Sequence, residues 1–247
     1  MLKNAPIPLD SQTIPLLRDS HWQMSFGERA ALEGLLSQLK PRVSIELGTA
    51  QGGSLDRIAF HSGDVHTFDL IDPRLERSAY PNVRFHVGDS HTLLPQQLGA
   101  LAEQENNVDF VLVDGDHSES GVRRDLEDLL TSPVIARSII LIHDTANETV
   151  RRGIEGVHLE AYPKVAYVEL DFVCGYIFRE PSLRYELWGG LGLVIVDATR
   201  KAYFGVPARQ TRYYELGSLL SALRDSIVER EREEDSEVGY ALRSRDS

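Results

Sequence analysis

Residues 43–54, V-S-I-E-L-G-T-A-Q-G-G-S, carry the pattern that decides the fold class of this chain. Apolar and polar residues alternate up to Leu47, with Glu46 just before it, and a glycine cluster follows at Gly48, Gly52 and Gly53. This pattern is typical of a buried strand that ends in a turn where a ligand can approach the backbone closely. A strand, a glycine-rich turn and a following helix together predict an α/β protein.

The spacing of these glycines excludes two common nucleotide-binding loops. The second glycine comes too late for G-x-G-x-x-G, and no Lys follows as the phosphate loop of nucleoside triphosphatases requires. A pyrophosphate would also be repelled by a carboxylate placed before the turn, whereas it favours backbone N–H groups at a helix N-terminus. Glu46 is better suited to a ligand with a cation or an amine, and S-adenosylmethionine has both.

The segment E-L-G-T-A-Q-G-G-S resembles the first motif of the class I S-adenosylmethionine-dependent methyltransferases. The resemblance implies that Glu46, Gly48, Gly52 and Ser54 contact this cofactor. The alternative interpretation is a purely structural strand, turn and helix in some other α/β protein.

Composition limits the classes of function that the chain can serve. The 247 residues are 42% hydrophobic and carry a net charge of −12, which argues against nucleic acid as a partner because such binders need a basic face. We find neither a run of apolar residues that could cross a bilayer nor a secretory signal, and we expect no membrane partner. Cys174 is the single cysteine, so a cytoplasmic location is the simplest expectation.

Five predicted strands each end at a carboxylate. These residues are Glu46, Asp69, Asp89, Asp114 and Asp144. Strands that alternate with helices predict a doubly wound parallel sheet, in which ligands bind at the carboxyl ends of the strands. Two later strands, within residues 164–181 and 187–197, match the antiparallel edge of the methyltransferase family. We therefore predict a Rossmann-like, mostly parallel seven-stranded sheet in a single domain.

The boundaries of that domain are predicted from helix signals and charge. Residues 1–24 form an irregular N-terminal segment that could act as a lid. The domain spans residues 25–229, from a capping box at Ser25 and Glu28 to a last helix over residues 210–229. Residues 230–247 are predicted to be a polar, charged C-terminal tail. The edges and the last helix allow a homodimer without requiring one.

Three residues are candidates for binding the nucleoside half of the cofactor. Asp69 ends the second strand, where a carboxylate can accept both ribose hydroxyls, with Asp72 as the alternative. Asp89 ends the third strand, and the family resemblance places it beside the adenine, with Ser90 as a neighbouring contact. Capping of the next helix is the structural alternative for these two residues.

Asp114 and Asp144 lie at the ends of neighbouring predicted strands, and their carboxylates are suited to bind a divalent metal such as Mg²⁺. The segment D-G-D-H at residues 114–117 resembles the metal-dependent O-methyltransferases that act on sugars of natural products, and related cephalosporin hydroxylase-like proteins. The resemblance implies Asp114, beside the cofactor, as a catalytic metal ligand and His117 as a general base, with Asp125 in the matching helix. A histidine with a pKa near neutrality would suit that role.

His143 departs from the family pattern, which has two acidic or amide residues at the fifth strand. Three options follow: a metal bound by Asp114, His143 and Asp144, a metal bound by the two aspartates only, or histidine-assisted chemistry without a metal. A histidine also favours softer ions than Mg²⁺.

The sequence therefore predicts an S-adenosylmethionine-dependent O-methyltransferase that acts on a hydroxyl of a small molecule or sugar moiety, with a divalent cation as an optional second cofactor. The alternative is a non-catalytic or hydroxylase-like relative that keeps the cofactor fold without methyl transfer.

Overall fold

A computed structural model of the chain describes residues 22–178, 185–199 and 222–232. The helices are α1 (Phe26–Leu39), α2 (Gly53–His61), α3 (Ser90–Glu103), α4 (Glu119–Thr131) and α5 (Glu148–Glu155), and residues 222–232 are also helical. The strands are β1 (Val43–Leu47), β2 (Asp64–Asp69), β3 (Val83–Val87), β4 (Phe110–Val113), β5 (Arg137–His143), β6 (Val165–Val173), β7 (Tyr176–Ile177), β8 (Leu187–Trp188) and β9 (Leu191–Asp197).

Seven of these strands form one sheet in the order β3-β2-β1-β4-β5-β9-β6. Strands β1 to β5 run parallel, and β9 pairs antiparallel with both β5 and β6. The predicted seven-stranded, mostly parallel sheet with an antiparallel edge is confirmed. The strand order reverses between β1 and β4, which is the point where open α/β sheets bind ligands.

Two apolar layers cover the two faces of the sheet. Val111 of β4 belongs to a cluster with Leu94 of α3 and Leu126 of α4. Its neighbour Phe110 faces the opposite side and belongs to the cluster that contains Leu32 of α1. Because side chains alternate along a strand, both faces of β4 are buried, as expected for the centre of a parallel sheet.

Helix α1 begins where the sequence predicts. The Ser25 hydroxyl accepts a hydrogen bond from the Glu28 N–H at 3.4 Å, and the Glu28 carboxylate accepts one from the Ser25 N–H. Lys40 ends the helix in a left-handed conformation, just before Pro41.

The late part of the chain is more elaborate than two strands and a loop. Strands β6 and β9 form the antiparallel edge, while β7 and β8 pair with each other in a separate two-stranded sheet. The predicted N-terminal segment 1–24, the last helix over 210–229 and the tail 230–247 fall largely outside the described residues, apart from residues 22–24 and 222–232. Among the helices that the structure describes, none has the length and apolar character needed to span a bilayer.

Candidate functional site

The loops that follow the parallel strands line a cavity of about 990 Å³. It opens beside the point where the strand order reverses, between β1 and β4. The site residues predicted from the sequence that line it are Gly48, Asp69, Asp89, Ser90, Asp114, His117, His143 and Asp144. The remaining predicted ones, Glu46, Gly52 and Ser54, lie in or beneath the glycine turn, and Ser54 lines a smaller adjoining cavity.

The glycine turn requires its first glycine for two reasons. Gly48 has a φ of +90°, which L-residues rarely adopt. A Cβ atom there would lie 2.0 Å from the carbonyl oxygen of Asp114. The turn after β1 and the end of β4 therefore approach each other as closely as a bare backbone allows.

Glu46 is fully buried beneath this turn. The hydroxyls of Ser54 and Thr67 donate hydrogen bonds to its two carboxylate oxygens at 2.7 and 2.6 Å. Burial raises the pKa of Glu46 to about 8, so without a ligand the side chain is mostly neutral at pH 7. The sequence argument treated it as a charged cofactor ligand, and that role stays a prediction.

Asp69 and its alternative Asp72 occupy different environments. The Asp69 carboxylate accepts hydrogen bonds from the backbone N–H groups of Thr49 at 3.1 Å and Ala50 at 2.8 Å, and it lines the cavity. Asp72 is exposed, accepts from the N–H of Arg74 and is not among the lining residues. Of these two aspartates, Asp69 is therefore the one that is hydrogen-bonded to the glycine turn.

Asp89 and Ser90 combine a capping position with a cavity position. Asp89 is the N-cap of α3 and accepts from the N–H of His91 at 3.0 Å. Strand β3 ends at Val87, two residues earlier than the sequence prediction, because Gly88 leads the chain into this cap. Asp89 and Ser90 both face the cavity, so capping and ligand contact are compatible.

The ends of β4 and β5 bring two aspartates and two histidines together. His143 donates from Nδ1 to Oδ1 of Asp114 at 2.9 Å and lies 3.4 Å from Oδ2 of Asp144. Nε2 of His117 lies 3.0 Å from Oδ2 of Asp144 and 3.5 Å from Oδ1 of Asp114. We call Asp114, His117, His143 and Asp144 the reactive cluster. Possible metal-ligand atoms of Asp114, His143 and Asp144 all lie within 4.8 Å of one another.

Opposite charges in the reactive cluster shift its pKa values strongly. Hydrogen bonding to Asp114 and Asp144 raises the pKa of His117 to about 9. Burial opposes the charged form of His143, but the same two carboxylates outweigh it and raise its pKa well above the usual value. Burial also opposes ionisation of Asp144, yet the two histidines hold its pKa below the usual range. The near-neutral pKa expected for His117 is therefore wrong, because the sequence did not reveal two flanking carboxylates.

The geometry of Asp144 is set by its backbone and by one hydrogen bond. Its φ of +55° is unusual for a residue with a side chain. Its Oδ1 accepts the backbone N–H of Gly189 at 2.7 Å. This hydrogen bond connects the short link between β8 and β9 to the reactive cluster. A residue held in an unfavourable backbone conformation, as Asp144 is, is common at functional sites.

Glu28 is a residue near the site that sequence reasoning identified only as part of a capping box. Its side chain is fully buried, and its carboxylate also accepts the backbone N–H of Gly190. Its Oε1 lies 3.4 Å from Nε2 of His143. The capping-box pattern gave its helical position but no signal for this contact, which joins residues far apart in the sequence.

Asp125, the downstream aspartate implied by the family resemblance, lies behind the cavity wall that contains His91. Its side chain is fully buried, and its Oδ1 lies 3.4 Å from Nε2 of His91. Burial raises the pKa of Asp125 to about 7. His91 lines the cavity, so Asp125 supports the cavity wall through this histidine.

A family model described as a methyltransferase domain matches residues 45–145. Among solved structures, the chain is similar to an O-methyltransferase from Bacillus cereus in complex with S-adenosylhomocysteine, with 18% identity, a TM-score of 0.53, and coverage of 76% of this chain and 92% of that one. It is also similar to the O-methyltransferase TomG from Streptomyces achromogenes, involved in tomaymycin synthesis and solved with S-adenosylmethionine. The identity there is 17%, the TM-score is 0.50, and the alignment covers 70% of this chain and 81% of that one. At such identities the likeness shows the fold. No curated protein matches the chain.

Proposed function

We propose that this chain, which carries a class I methyltransferase domain, transfers the methyl group of S-adenosylmethionine to a hydroxyl of a small acceptor. The observation that carries the proposal is the position of the reactive cluster in the same cavity as the glycine turn and Asp69. One cavity thus offers a cofactor half and an acid–base half.

The cavity residues fit the proposed cofactor at several points. Gly48, whose backbone packs against the end of β4, lines the cavity without a side chain, so a ligand can approach the backbone there. Asp69 has a carboxylate at the end of β2 for ribose hydroxyls, and Asp89 lies at the end of β3 for an exocyclic amine. When bound, S-adenosylmethionine supplies an electrophilic methyl group on a sulfonium.

His117 is the proposed acceptor of the hydroxyl proton. Two carboxylates raise the pKa of His117 to about 9, so the neutral form that accepts the proton is a small fraction at pH 7, although it is a stronger base than an ordinary histidine. Asp114 and Asp144 fix the ring position and stabilise the imidazolium that results from proton transfer. Orientation of the acceptor oxygen by these groups contributes to the rate by reducing the entropy lost on reaching the transition state.

The mixed donors of Asp114, His143 and Asp144 fit a borderline transition ion better than Mg²⁺, since imidazole nitrogen disfavours Mg²⁺. These three residues would hold such an ion, which would supply Lewis-acid polarisation of the acceptor oxygen. The same donor set supports a second candidate, a hydroxylase-like relative. The cofactor titration below separates the two candidates, because only the first requires S-adenosylhomocysteine to bind.

The test of the proposed function is calorimetric titration with S-adenosylhomocysteine after chelator treatment, with and without added Mg²⁺ or Mn²⁺. Binding is expected, and its absence under every condition would refute the proposal. The variant Asp114→Asn should reduce methyl transfer at least 100-fold, a loss typical of removing a group from acid–base machinery. Its affinity for S-adenosylhomocysteine should change less than threefold, and equal loss of both quantities would contradict the assigned role. Asp72→Asn, at an exposed turn, is the matched control and should leave both quantities unchanged.

A further inference from the structure

We infer that the methyl acceptor is an uncharged or amine-bearing ring compound that binds against the small β7–β8 sheet, and that acceptors with a carboxylate or phosphate are excluded. The inference rests on the proposed function and names the substrate class of the same site. Two independent features of the cavity carry it, an aromatic wall and a one-sided set of charges.

The aromatic wall comes from the β7–β8 sheet, which we define by residues 176–178 and 185–188 and call the aromatic hairpin. Tyr176, Phe178 and Trp188 all line the cavity. The rings of Tyr176 and Phe178 lie 5.9 Å apart, and the strands are held by backbone pairing of Tyr176 with Trp188. Aromatic walls of this kind bind flat or ring-shaped ligands by stacking and by burying their apolar faces.

The aromatic hairpin is attached directly to the reactive cluster. Trp188 meets the ring of His117 in an edge-to-face contact with a centroid distance of 5.7 Å. Gly189 donates its N–H to Asp144, and a Cβ on Gly189 would lie only 2.5 Å from the ring of Tyr176. A ring against this wall would therefore have its substituents next to His117, which is the position that a methylated hydroxyl needs.

Outside the reactive cluster, where His117 and His143 balance Asp114 and Asp144, the charges around the cavity are one-sided. Among the described residues that line it are five aspartates and three histidines, but neither Lys nor Arg. The acids outside the reactive cluster are Asp69, Asp89 and Asp116. Sites for carboxylates and phosphates instead rely on Arg, Lys or uncapped helix N-termini.

The N-termini of α3 and α4 at the cavity do not provide an anion site either. Helix α3 is capped by Asp89, and helix α4 by the hydroxyl of Ser118, which accepts from the N–H of Gly121 at 3.0 Å. Asp116 accepts the N–H of Ser118 at 2.8 Å and adds a negative charge in front of α4. An anionic acceptor would thus meet carboxylates where a binding site for it needs donors, whereas an ammonium group would be attracted.

The test uses ligand-observed NMR, which detects weak binding, on the full chain with saturating S-adenosylhomocysteine. One series of probes keeps a dihydroxyphenyl ring: catechol, dopamine and 3,4-dihydroxybenzoate. The other keeps a pyranose ring: methyl glucoside, glucosamine and glucuronate. We expect one of the two series to bind, and this series identifies whether the acceptor has an aromatic or a pyranose ring. Within that series, the neutral and the amine-bearing probe should bind at least tenfold more tightly than the anionic probe. Equal or tighter binding of an anionic member, or no binding in either series, would overturn the inference.

Variants locate the binding to the aromatic hairpin. Trp188→Leu should weaken the binding ring probe at least tenfold while leaving the affinity for S-adenosylhomocysteine unchanged. Tyr176→Leu, at a partly exposed ring, provides a second test if the first variant does not fold. Phe60→Leu, whose ring is exposed on α2 away from the cavity, is the matched control and should change neither affinity. Ring binding that survives both hairpin variants would refute the assignment of the wall.

A further variant tests the charge argument separately. Asp116→Asn keeps an acceptor for the N–H of Ser118 but removes one negative charge. It should therefore reduce the ratio of affinities between the neutral and the anionic probe several-fold. An unchanged ratio of affinities would show that the charge of Asp116 does not repel the anionic probe. If the native protein fails to bind S-adenosylhomocysteine, the proposed function is wrong. If it binds S-adenosylhomocysteine but binds neutral and anionic ring probes equally well, only the inference about the acceptor is wrong.

Discussion

Replacement of Gly48 by alanine tests how the glycine turn and the reactive cluster depend on each other. An added Cβ would lie 2.0 Å from the Asp114 carbonyl oxygen and 2.6 Å from its carbonyl carbon, so the two backbones must separate by about 1 Å to reach ordinary contact. That movement is opposed on both sides. The Gly48 N–H donates to the carbonyl of Phe68 at 2.9 Å, and the Asp114 N–H donates to the carbonyl of Leu47 at 2.8 Å.

The cost of Gly48→Ala follows from these contacts. A φ of +90° costs an L-residue about 1–2 kcal/mol. Weakening one buried backbone hydrogen bond adds about 1–3 kcal/mol. We therefore expect the free energy of unfolding to fall by about 2–5 kcal/mol, a large part of the stability of an ordinary domain. Since the shift also moves the glycine turn that lines the cavity, affinity for S-adenosylhomocysteine should fall at least tenfold in any protein that remains folded.

The assay is urea denaturation at pH 7 followed by calorimetric titration with S-adenosylhomocysteine. Gly34→Ala provides the matched control, because Gly34 is in α1 and no atom lies within 4 Å of an added Cβ. This control should stabilise the protein by about 0.5–1 kcal/mol through helix propensity. The reasoning is refuted if Gly48→Ala loses less than 1 kcal/mol and binds S-adenosylhomocysteine as tightly as the native protein.

Three further predictions concern the nucleoside end and the buried titratable groups. Asp69→Asn should weaken binding of S-adenosylhomocysteine about tenfold or more, because two backbone N–H groups of the glycine turn lose a charged acceptor, whereas Asp72→Asn should change it less than twofold; calorimetry decides. Burial lowers the pKa of His66 below its value near 6.5 in the unfolded chain, so stability in urea should fall as the pH drops below 6.5, and His66→Gln should lose less stability than the native protein over the same pH range. Burial raises the pKa of Glu46 to about 8, above its unfolded value of 4.5, so its contribution to stability is lost as the pH rises through 8. Relative to the native protein, Glu46→Gln should therefore gain on the order of 3 kcal/mol between pH 5 and pH 8, and parallel pH profiles of the two proteins would contradict the assignment.

The architecture could be predicted from the sequence because its signals are local. Alternating apolar residues, glycine turns and carboxylates recur at a spacing that only strands and helices of a parallel sheet produce. The capping box at Ser25 gave the start of α1 to the residue. The β7–β8 pairing was missed, since two-residue strands carry no periodic pattern that separates them from a loop.

The chemistry of the site was less predictable, because a pKa depends on neighbours in space. The sequence placed Asp114, His117 and Asp144 at the same rim of the sheet, but it could not reveal that one imidazole lies between two carboxylates. It also could not reveal that Glu46 is covered by the glycine turn, where burial favours its neutral form. In both cases the sequence indicated where the residue lies relative to the sheet rim, but it did not give the charge state of the side chain.

Through Glu28, the reactive cluster depends on α1, the helix that precedes the first strand of the sheet. The Glu28 carboxylate joins three parts of the chain: the N-terminus of α1 through Ser25, the end of β5 through His143, and the start of β9 through Gly190. A fully buried carboxylate is stable only if donors surround it, so loss of any one of these partners leaves a costly unpaired group. The position of His143 is therefore coupled to the packing of α1 and β9.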